Sequence, residues 1–203
     1  MTSINAITLE VSDPEASSIF YKEAFGLDGQ VRLRESEAPS TGFRGFTLSL
    51  VVSQPADADL LIDAALDAGA TVLKPAAKSM WGYGGTVMAP DGTIWKVATS
   101  TKKNTQPASK SFDELVLLLG VADVAASKKY YVGRGLTVGK SFGKMYVEFD
   151  SSSSAVKLAL YRRKALAKDA GVAPDGSGSH RIVVNGEGSF TDPDGFTWES
   201  TSV

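Results

Sequence analysis

The chain has 203 residues, 21 basic against 23 acidic, and a net charge of −2. Without a basic excess there is no source for phosphate-backbone binding by counterion release, so a general nucleic-acid partner is excluded. There is no cysteine and one histidine, His180, which excludes disulfide scaffolds, thiolate chemistry and His-rich metal sites within one chain.

No apolar run approaches the length that spans a membrane. Residues 1–6 lack the basic-then-apolar layout of a signal peptide, so a cytoplasmic protein with no membrane partner is expected. The length suits one domain or two small ones and a substantial core.

Residues 4–11 alternate, with Ile7, Leu9 and Val11 against Thr8 and Glu10, and read as a half-buried strand. Ser12-Asp-Pro-Glu15 signals a helix start, with Ser12 as cap, Glu15 closing a capping box and Pro14 in the first turn. Ala16, Ile19, Phe20 and Ala24 would form its inner face, and Gly26 its end. Strands are expected at 30–34 and 43–52, then a second amphipathic helix over 57–68 and a short strand at 71–73. Trp81-Gly-Tyr-Gly-Gly85 reads as a flexible aromatic segment before Ala89-Pro-Asp-Gly-Thr-Ile-Trp95-Lys96. Pro-Asp-Gly is a tight-turn signature: Pro presets φ, Asp bonds its own backbone and Gly accepts φ > 0.

Residues 101–110 are polar, Lys-rich and contain Pro107, as in a linker. The pattern then restarts. A strand is expected at 115–121, and Ala122-Asp-Val-Ala-Ala-Ser-Lys-Lys-Tyr-Tyr131 parallels Ser12-Asp-Pro-Glu-Ala-Ser-Ser-Ile-Phe-Tyr21. Strands follow at 137–142, 144–149 and 156–160, with a short helix over 161–170. The turn itself recurs as Asp192-Pro-Asp-Gly-Phe-Thr-Trp198-Glu199. The repeat predicts a module at 4–99, a linker at 100–111 and a second module at 112–203. The second is shorter, because only a few residues separate 180–184 from its turn, where the first has a helix and a strand.

A strand, an Asp-x-x-x-Ser-x-x-aromatic-Tyr helix, further strands and a terminal Pro-Asp-Gly-x-x-Trp, all repeated, resemble the vicinal oxygen chelate superfamily, which includes glyoxalase I, bleomycin-resistance proteins and extradiol dioxygenases. The resemblance implies an α+β fold of paired βαβββ modules, the second shortened here, that enclose a cleft. It also implies metal ligands on the first strand of each module, seven residues before the helix-cap Asp, and on the last strands. Those positions here are Ala6, Val116, Lys96 and Glu199. Only Glu199 is a ligand type, and one carboxylate does not hold a catalytic metal against water, so no metal and no cofactor are expected.

Alternation places Thr8, Glu10, Lys96, Val116, Leu118 and Glu199 on the cleft face, with Glu10 and Lys96 as a cross-strand pair. Trp81 and Tyr83 join them as ligand contacts at the mouth, whereas Trp95 and Trp198 fall in the core phase. Arg32, Arg34 and Arg44 form either an anion site or a solvated face. The leading expectation is a metal-free protein that sequesters a small organic molecule, as in the bleomycin-resistance branch. A second reading is an enzyme using Glu199, Glu10, His180 or Tyr83. In a third the cleft has degenerated and the chain is structural or regulatory. Two fused modules permit a monomer, and exposed sheet edges a homodimer.

Overall fold

In the computed structural model, residues 3–150 and 154–201 are described. Residues 151–153, between the strands expected at 144–149 and 156–160, therefore lie outside the described residues, as do the last two residues of the predicted second module. The first half runs β1 (Ile4–Val11), α1 (Pro14–Phe25), β2 (Val31–Glu35), β3 (Ser40–Gly42), β4 (Phe46–Val51), α2 (Pro55–Asp67), β5 (Thr71–Ser79), β6 (Gly82–Met88) and β7 (Ile94–Thr99). The second runs β8 (Glu114–Val121), α3 (Val124–Gly133), β9 (Val138–Phe142), β10 (Tyr146–Phe149), β11 (Lys157–Arg162), α4 (Arg163–Ala170), β12 (Gly176–Gly178), β13 (Ile182–Gly186), β14 (Phe190–Thr191) and β15 (Thr197–Ser200).

The strands form an eight-stranded sheet, β5-β6-β7-β4-β8-β11-β10-β9, and a five-stranded one, β14-β15-β13-β1-β2. A two-stranded ribbon, β12-β3, links the sequence halves. Each sheet takes strands from both halves of the sequence. In the larger sheet β4 and β8 pair antiparallel at the centre, and each opens a complete βαβββ unit. The smaller sheet joins β1-α1-β2 to β13-β14-β15, and no helix separates β13 from β14. The shortening expected of the second module is thus the loss of the excursion that α2 and β5 make between β4 and β6.

Strand alternation sends one face of each sheet into a shared core. Ile7, Leu9 and Val11 of β1, Leu48 and Leu50 of β4, and Leu115, Leu117 and Leu119 of β8 belong to one buried cluster, together with residues of α1, α2 and α3. Trp95 and Trp198 are fully buried within it, as their phase predicts.

The helix ends follow from their sequences with small corrections. Asp13, not Ser12, caps α1, accepting from Ala16 N at 2.9 Å, and Gly26 closes it at φ 63°. Asp123 caps α3 in the same way, accepting from Ala125 N and Ala126 N. Ile19 is exposed; the buried stripe of α1 is Ser17, Phe20, Tyr21, Ala24 and Phe25. The segment over 101–110 is fastened down at the start of α2. The buried Gln54 amide accepts from Thr105 N and Gln106 N and donates to Gln106 O and Pro107 O, and the buried Asp57 accepts from Ser109 N.

The paired aromatics at the ends of the parallel helices lock onto the two Pro-Asp-Gly turns. Tyr21 OH donates to Asp91 Oδ2 at 2.5 Å, while Asp91 Oδ1 accepts from Thr93 N. Tyr131 OH donates to Asp192 Oδ2 at 2.5 Å, while Asp192 Oδ1 accepts from Asp194 N and Phe196 N. Each tyrosine leans on the tryptophan after its turn, Tyr21 on Trp95 at 5.4 Å and Tyr131 on Trp198 at 5.6 Å between ring centroids. The second lock is the more complete, since Trp198 Nε1 also donates to Tyr131 OH. Burial, then the Asp192 carboxylate, push the Tyr131 phenol far above its usual range, so it stays a donor. Removing the hydroxyl in Tyr131→Phe strands a buried carboxylate oxygen and an indole N–H. We expect a loss of about 1–3 kcal/mol by urea denaturation. Tyr21→Phe should cost less, because Asp91 is only half-buried.

Candidate functional site

The residues predicted for one cleft lie on two faces, each turned away from the shared core. Thr8, Glu10 and Glu199 stand on the five-stranded sheet. Lys96, Val116 and Leu118 stand on the eight-stranded one, with Trp81 and Tyr83 at its β5–β6 hairpin. The expected Glu10–Lys96 pair is therefore not formed, because the two strands belong to different sheets.

On the smaller sheet the face is closed by its own side chains. Thr8 Oγ1 donates to Asn185 Oδ1 at 2.7 Å, and both residues are buried. Arg34 of β2 grips Glu199 of β15 with two bonds, at 2.9 and 2.6 Å, across the intervening β1 and β13. Only a curled sheet brings those strands within reach. Glu10 lies 3.9 Å from the same guanidinium. The bonds from Arg34 pull the Glu199 carboxyl below its usual range, against a smaller opposing effect of burial.

On the larger sheet α4 lies over one end of the outward face. Leu166, Ala167 and Ala170 pack with Phe43 and Ile94, and Leu118 packs against that cluster. Gly120 lies beneath α4, where an added Cβ would come within 3.3 Å of both the Arg163 backbone and Leu166. Leu118 is thus a packing residue beneath a helix that sequence reasoning left unplaced. Beyond α4, Lys96, Ser49, Val116 and Lys157 form one cross-strand row over β7, β4, β8 and β11. Lys96 Nζ donates to Asp169 of α4 at 2.6 Å. Lys157 Nζ meets both oxygens of Glu114 at 2.8 Å and Glu148 at 3.5 Å.

A pocket of about 290 Å³ opens beside this row, lined among others by Lys74, Lys78, Trp81, Thr86, Lys96 and Asp169. Three ammonium groups face one carboxylate there. Trp81 is 81 % exposed at its mouth. The hairpin carrying it is drawn against β7 at Gly82 (φ 139°), where a Cβ would fall 1.9 Å from the Thr99 carbonyl oxygen. Tyr83 contributes to the lining, but its hydroxyl turns to α2 and donates to Asp59 at 2.7 Å. That bond, with burial and charge, pushes the phenol up to about 12.

His180 lies apart from Glu199 and Glu148. Its Nδ1 stands 2.6 Å from Arg44 O and its Nε2 3.2 Å from Asp194 O, and its ring stacks on Phe196. It stands between the second turn and the start of β4, with a backbone carbonyl oxygen within hydrogen-bond distance of each ring nitrogen and the single N–H of a neutral ring able to donate to one of them. The three arginines do not converge: Arg34 holds Glu199, Arg44 meets Asp91 O, and Arg32 is exposed. Sequence reasoning missed Asp169, whose pairing with Lys96 depends on where α4 lands, and Lys157 with its two glutamates.

The residues at the ligand positions implied by the family do not fit a divalent metal. Ala6 and Val116 carry no ligand atom, Lys96 is cationic, and Glu199 is held bidentately by Arg34. Among the described residues, no group of three or more His, Cys, Asp or Glu is placed to hold a metal ion. No helix of the described residues is long and apolar enough to cross a membrane.

No protein-family profile and no curated protein sequence matches the chain. Solved structures do. Glyoxalase I from Zea mays superposes with a TM-score of 0.66 at 13 % identity, covering 98 % of this chain and 92 % of that one. A point mutant of the same maize enzyme gives 0.64 at 14 % identity, covering 98 % and 93 %. A glyoxalase/bleomycin resistance protein/dioxygenase family enzyme from Burkholderia phytofirmans PsJN gives 0.42 at 18 % identity, covering 48 % of this chain and 98 % of that one. The two full-length superpositions on the maize enzyme show that the chain has the glyoxalase I fold, a paired-module α+β architecture.

The Arg34–Glu199 bond sets a pH dependence. A carboxyl whose folded pKa is depressed contributes stability that is present above its unfolded value, about 4.3, and lost as pH falls through the folded one. Denaturation between pH 7 and 3 should show Glu199→Gln less stable than the parent at neutral pH. The two should converge at the acid end. A constant difference across the range would refute this source of acid sensitivity.

Proposed function

We propose that the chain binds a small organic molecule, without a divalent metal, in the pocket between the Trp81 hairpin and α4. The observation that carries this reading is the pocket's own lining, in which Lys74, Lys78 and Lys96 outnumber the one carboxylate of Asp169, so that a ligand's acidic or carbonyl oxygen is favoured over a cation. Trp81 offers an exposed aromatic surface to stack against. The carboxylate of Asp169 holds Lys96 in place and offers an acceptor to a ligand hydroxyl or amide.

Sequestration is favoured over catalysis because the groups able to move a proton are already committed. Glu199 is held by Arg34, His180 lies between two carbonyls, and the Tyr83 hydroxyl is tied to Asp59. We also read residues 4–99 and 112–203 as the products of a duplication joined by 100–111, with the ligand residues retained mainly by the complete units. Of the predicted ligand contacts, Lys96, Trp81 and Tyr83 line this pocket, and Val116 stands outside it on the neighbouring strands. Thr8, Glu10 and Glu199 serve the closed face of the other sheet.

Two measurements test the reading together. Elemental analysis of the purified protein should find no stoichiometric divalent ion. A screen of small organic acids and carbonyl compounds, followed by tryptophan emission, should give saturable changes that vanish in Trp81→Phe, since Trp95 and Trp198 are buried. Lys96→Ala should weaken the hits about tenfold or more, the scale of a charge-assisted hydrogen bond. A stoichiometric metal, or hits indifferent to Lys96, would overturn the proposal.

A further inference from the structure

A second site emerges around Arg44, away from the Trp81 pocket. The Nη2 group of Arg44 donates to Asp91 O at 2.8 Å, but its Nη1 group is buried and has no hydrogen-bond partner. A cationic donor removed from water without an acceptor is costly, and native interiors rarely leave one so. Burial lowers the Arg44 pKa from its usual value, Asp91 counteracts this, and the nearby Arg181 adds to it. Arg163 and Arg181 stand in the same neighbourhood, and both are held by carbonyls: Arg163 donates to Phe43 O and Pro174 O, and Arg181 to Ser36 O. None of these three guanidinium groups takes part in the ion pairs found among the described residues.

Two adjoining pockets share Phe43, Arg44 and Asp175 as a common wall. One, about 300 Å³, is polar and includes Arg163, Ser177, Ser179 and His180. The other, about 250 Å³, is mainly apolar and includes Phe46, Met88, Ile94 and Val172. Thr93 also lines the apolar pocket, and its buried hydroxyl has no hydrogen-bond partner among the described residues. Asp175 is the one acid in either lining, and it disfavours a dianion such as a phosphate monoester. The glycines at 176 and 178 need no ligand to explain them. A Cβ at either would strike a backbone carbonyl of the facing strand segment, at 2.2 and 2.1 Å.

We propose that Arg44 anchors the carboxylate of a small monoanionic organic acid whose apolar body fills the adjoining pocket at Phe46, Met88 and Ile94. A turn of the guanidinium, whose Nη1 is closed to solvent in the unliganded fold, brings Nη1 to one carboxylate oxygen; the Ser177 hydroxyl, paired with Thr41 Oγ1, reaches the second through water, and the hydrocarbon displaces water from the apolar side. The site is separate from the pocket at Lys96 and does not depend on it.

Titration calorimetry and saturation-transfer NMR with sodium hexanoate and sodium benzoate test this, with hexanol and benzamide as neutral counterparts and inorganic phosphate as a bare anion. In Lys96→Ala, which disables the other pocket, the acids should still bind saturably at one site, and the neutral counterparts and phosphate at least tenfold more weakly. Arg44→Gln should lose at least tenfold in affinity, and Arg44→Lys, which keeps the charge without the fork, should fall between. Met88→Trp, which fills the apolar pocket and leaves the bond to Asp91 intact, should also weaken binding; it carries the test if Arg44→Gln does not fold. Equal binding of the neutral counterparts, equal binding of phosphate, or acid affinity unchanged in Arg44→Gln or Met88→Trp would each overturn the proposal.

Discussion

The contact on which the rest of the structure depends is the hydrogen bond from a helix tyrosine to an aspartate at a Pro-Asp-Gly turn. It occurs twice, at Tyr21–Asp91 and Tyr131–Asp192. Each bond joins elements from different sheets. Tyr21 rides on the helix that follows β1 of the smaller sheet, yet its partner sits before β7 of the larger one. Tyr131 rides on the helix that follows β8 of the larger sheet, and its partner sits before β15 of the smaller. The locks therefore fix the two sheets relative to one another, and they fix the direction in which Lys96 and Glu199 leave their turns. Asp192 receives its tyrosine within the protein interior, where such bonds are strong and their loss is expensive, and Asp91 receives its own in a half-buried setting.

The strands that leave the two turns have diverged. After the second, Glu199 meets Arg34 and closes the curl of a sheet that has lost a helix. After the first, Lys96 meets Asp169 on α4, leaving open space toward the β5–β6 hairpin. α4 has no counterpart in the first half of the chain. By lying over Leu118 and Gly120 it turns what would be a broad trough into a bounded pocket, and its loop supplies Val172 and Asp175 to the neighbouring cavities. One short helix thus shapes every candidate binding surface on the larger sheet.

Much of the fold is legible in the sequence because local signals agree with one another. The paired aromatics and the two turns recur in order, and period-two alternation correctly places Trp95 and Trp198 in the core. The site is less legible, for a physical reason. Alternation tells which face of a strand a residue occupies, but not which sheet the strand joins. Thr8 and Lys96 share a phase and nothing else, because β1 pairs with β13 while β7 pairs with β4. Pairings between such distant strands leave no local mark. Arg34–Glu199, Lys96–Asp169 and the unspent edge of Arg44 all depend on them. His180 misleads in the opposite sense: a lone histidine invites a chemical role, and the structure sets its ring between two backbone carbonyls and against Phe196.

The exchange of strands between the halves bears on how such a chain can evolve. A simple tandem duplication leaves two units that could be separated again. Here β1 and β2 complete their sheet only with strands from the far end of the sequence, and β4 is flanked by β8. Neither half could be excised without exposing unpaired backbone along a sheet edge. The segment pinned by Gln54 and Asp57 is thus an internal seam rather than a hinge. In an interleaved chain of this kind, an element missing from one half leaves the sheets paired, because the other half supplies the neighbouring strands.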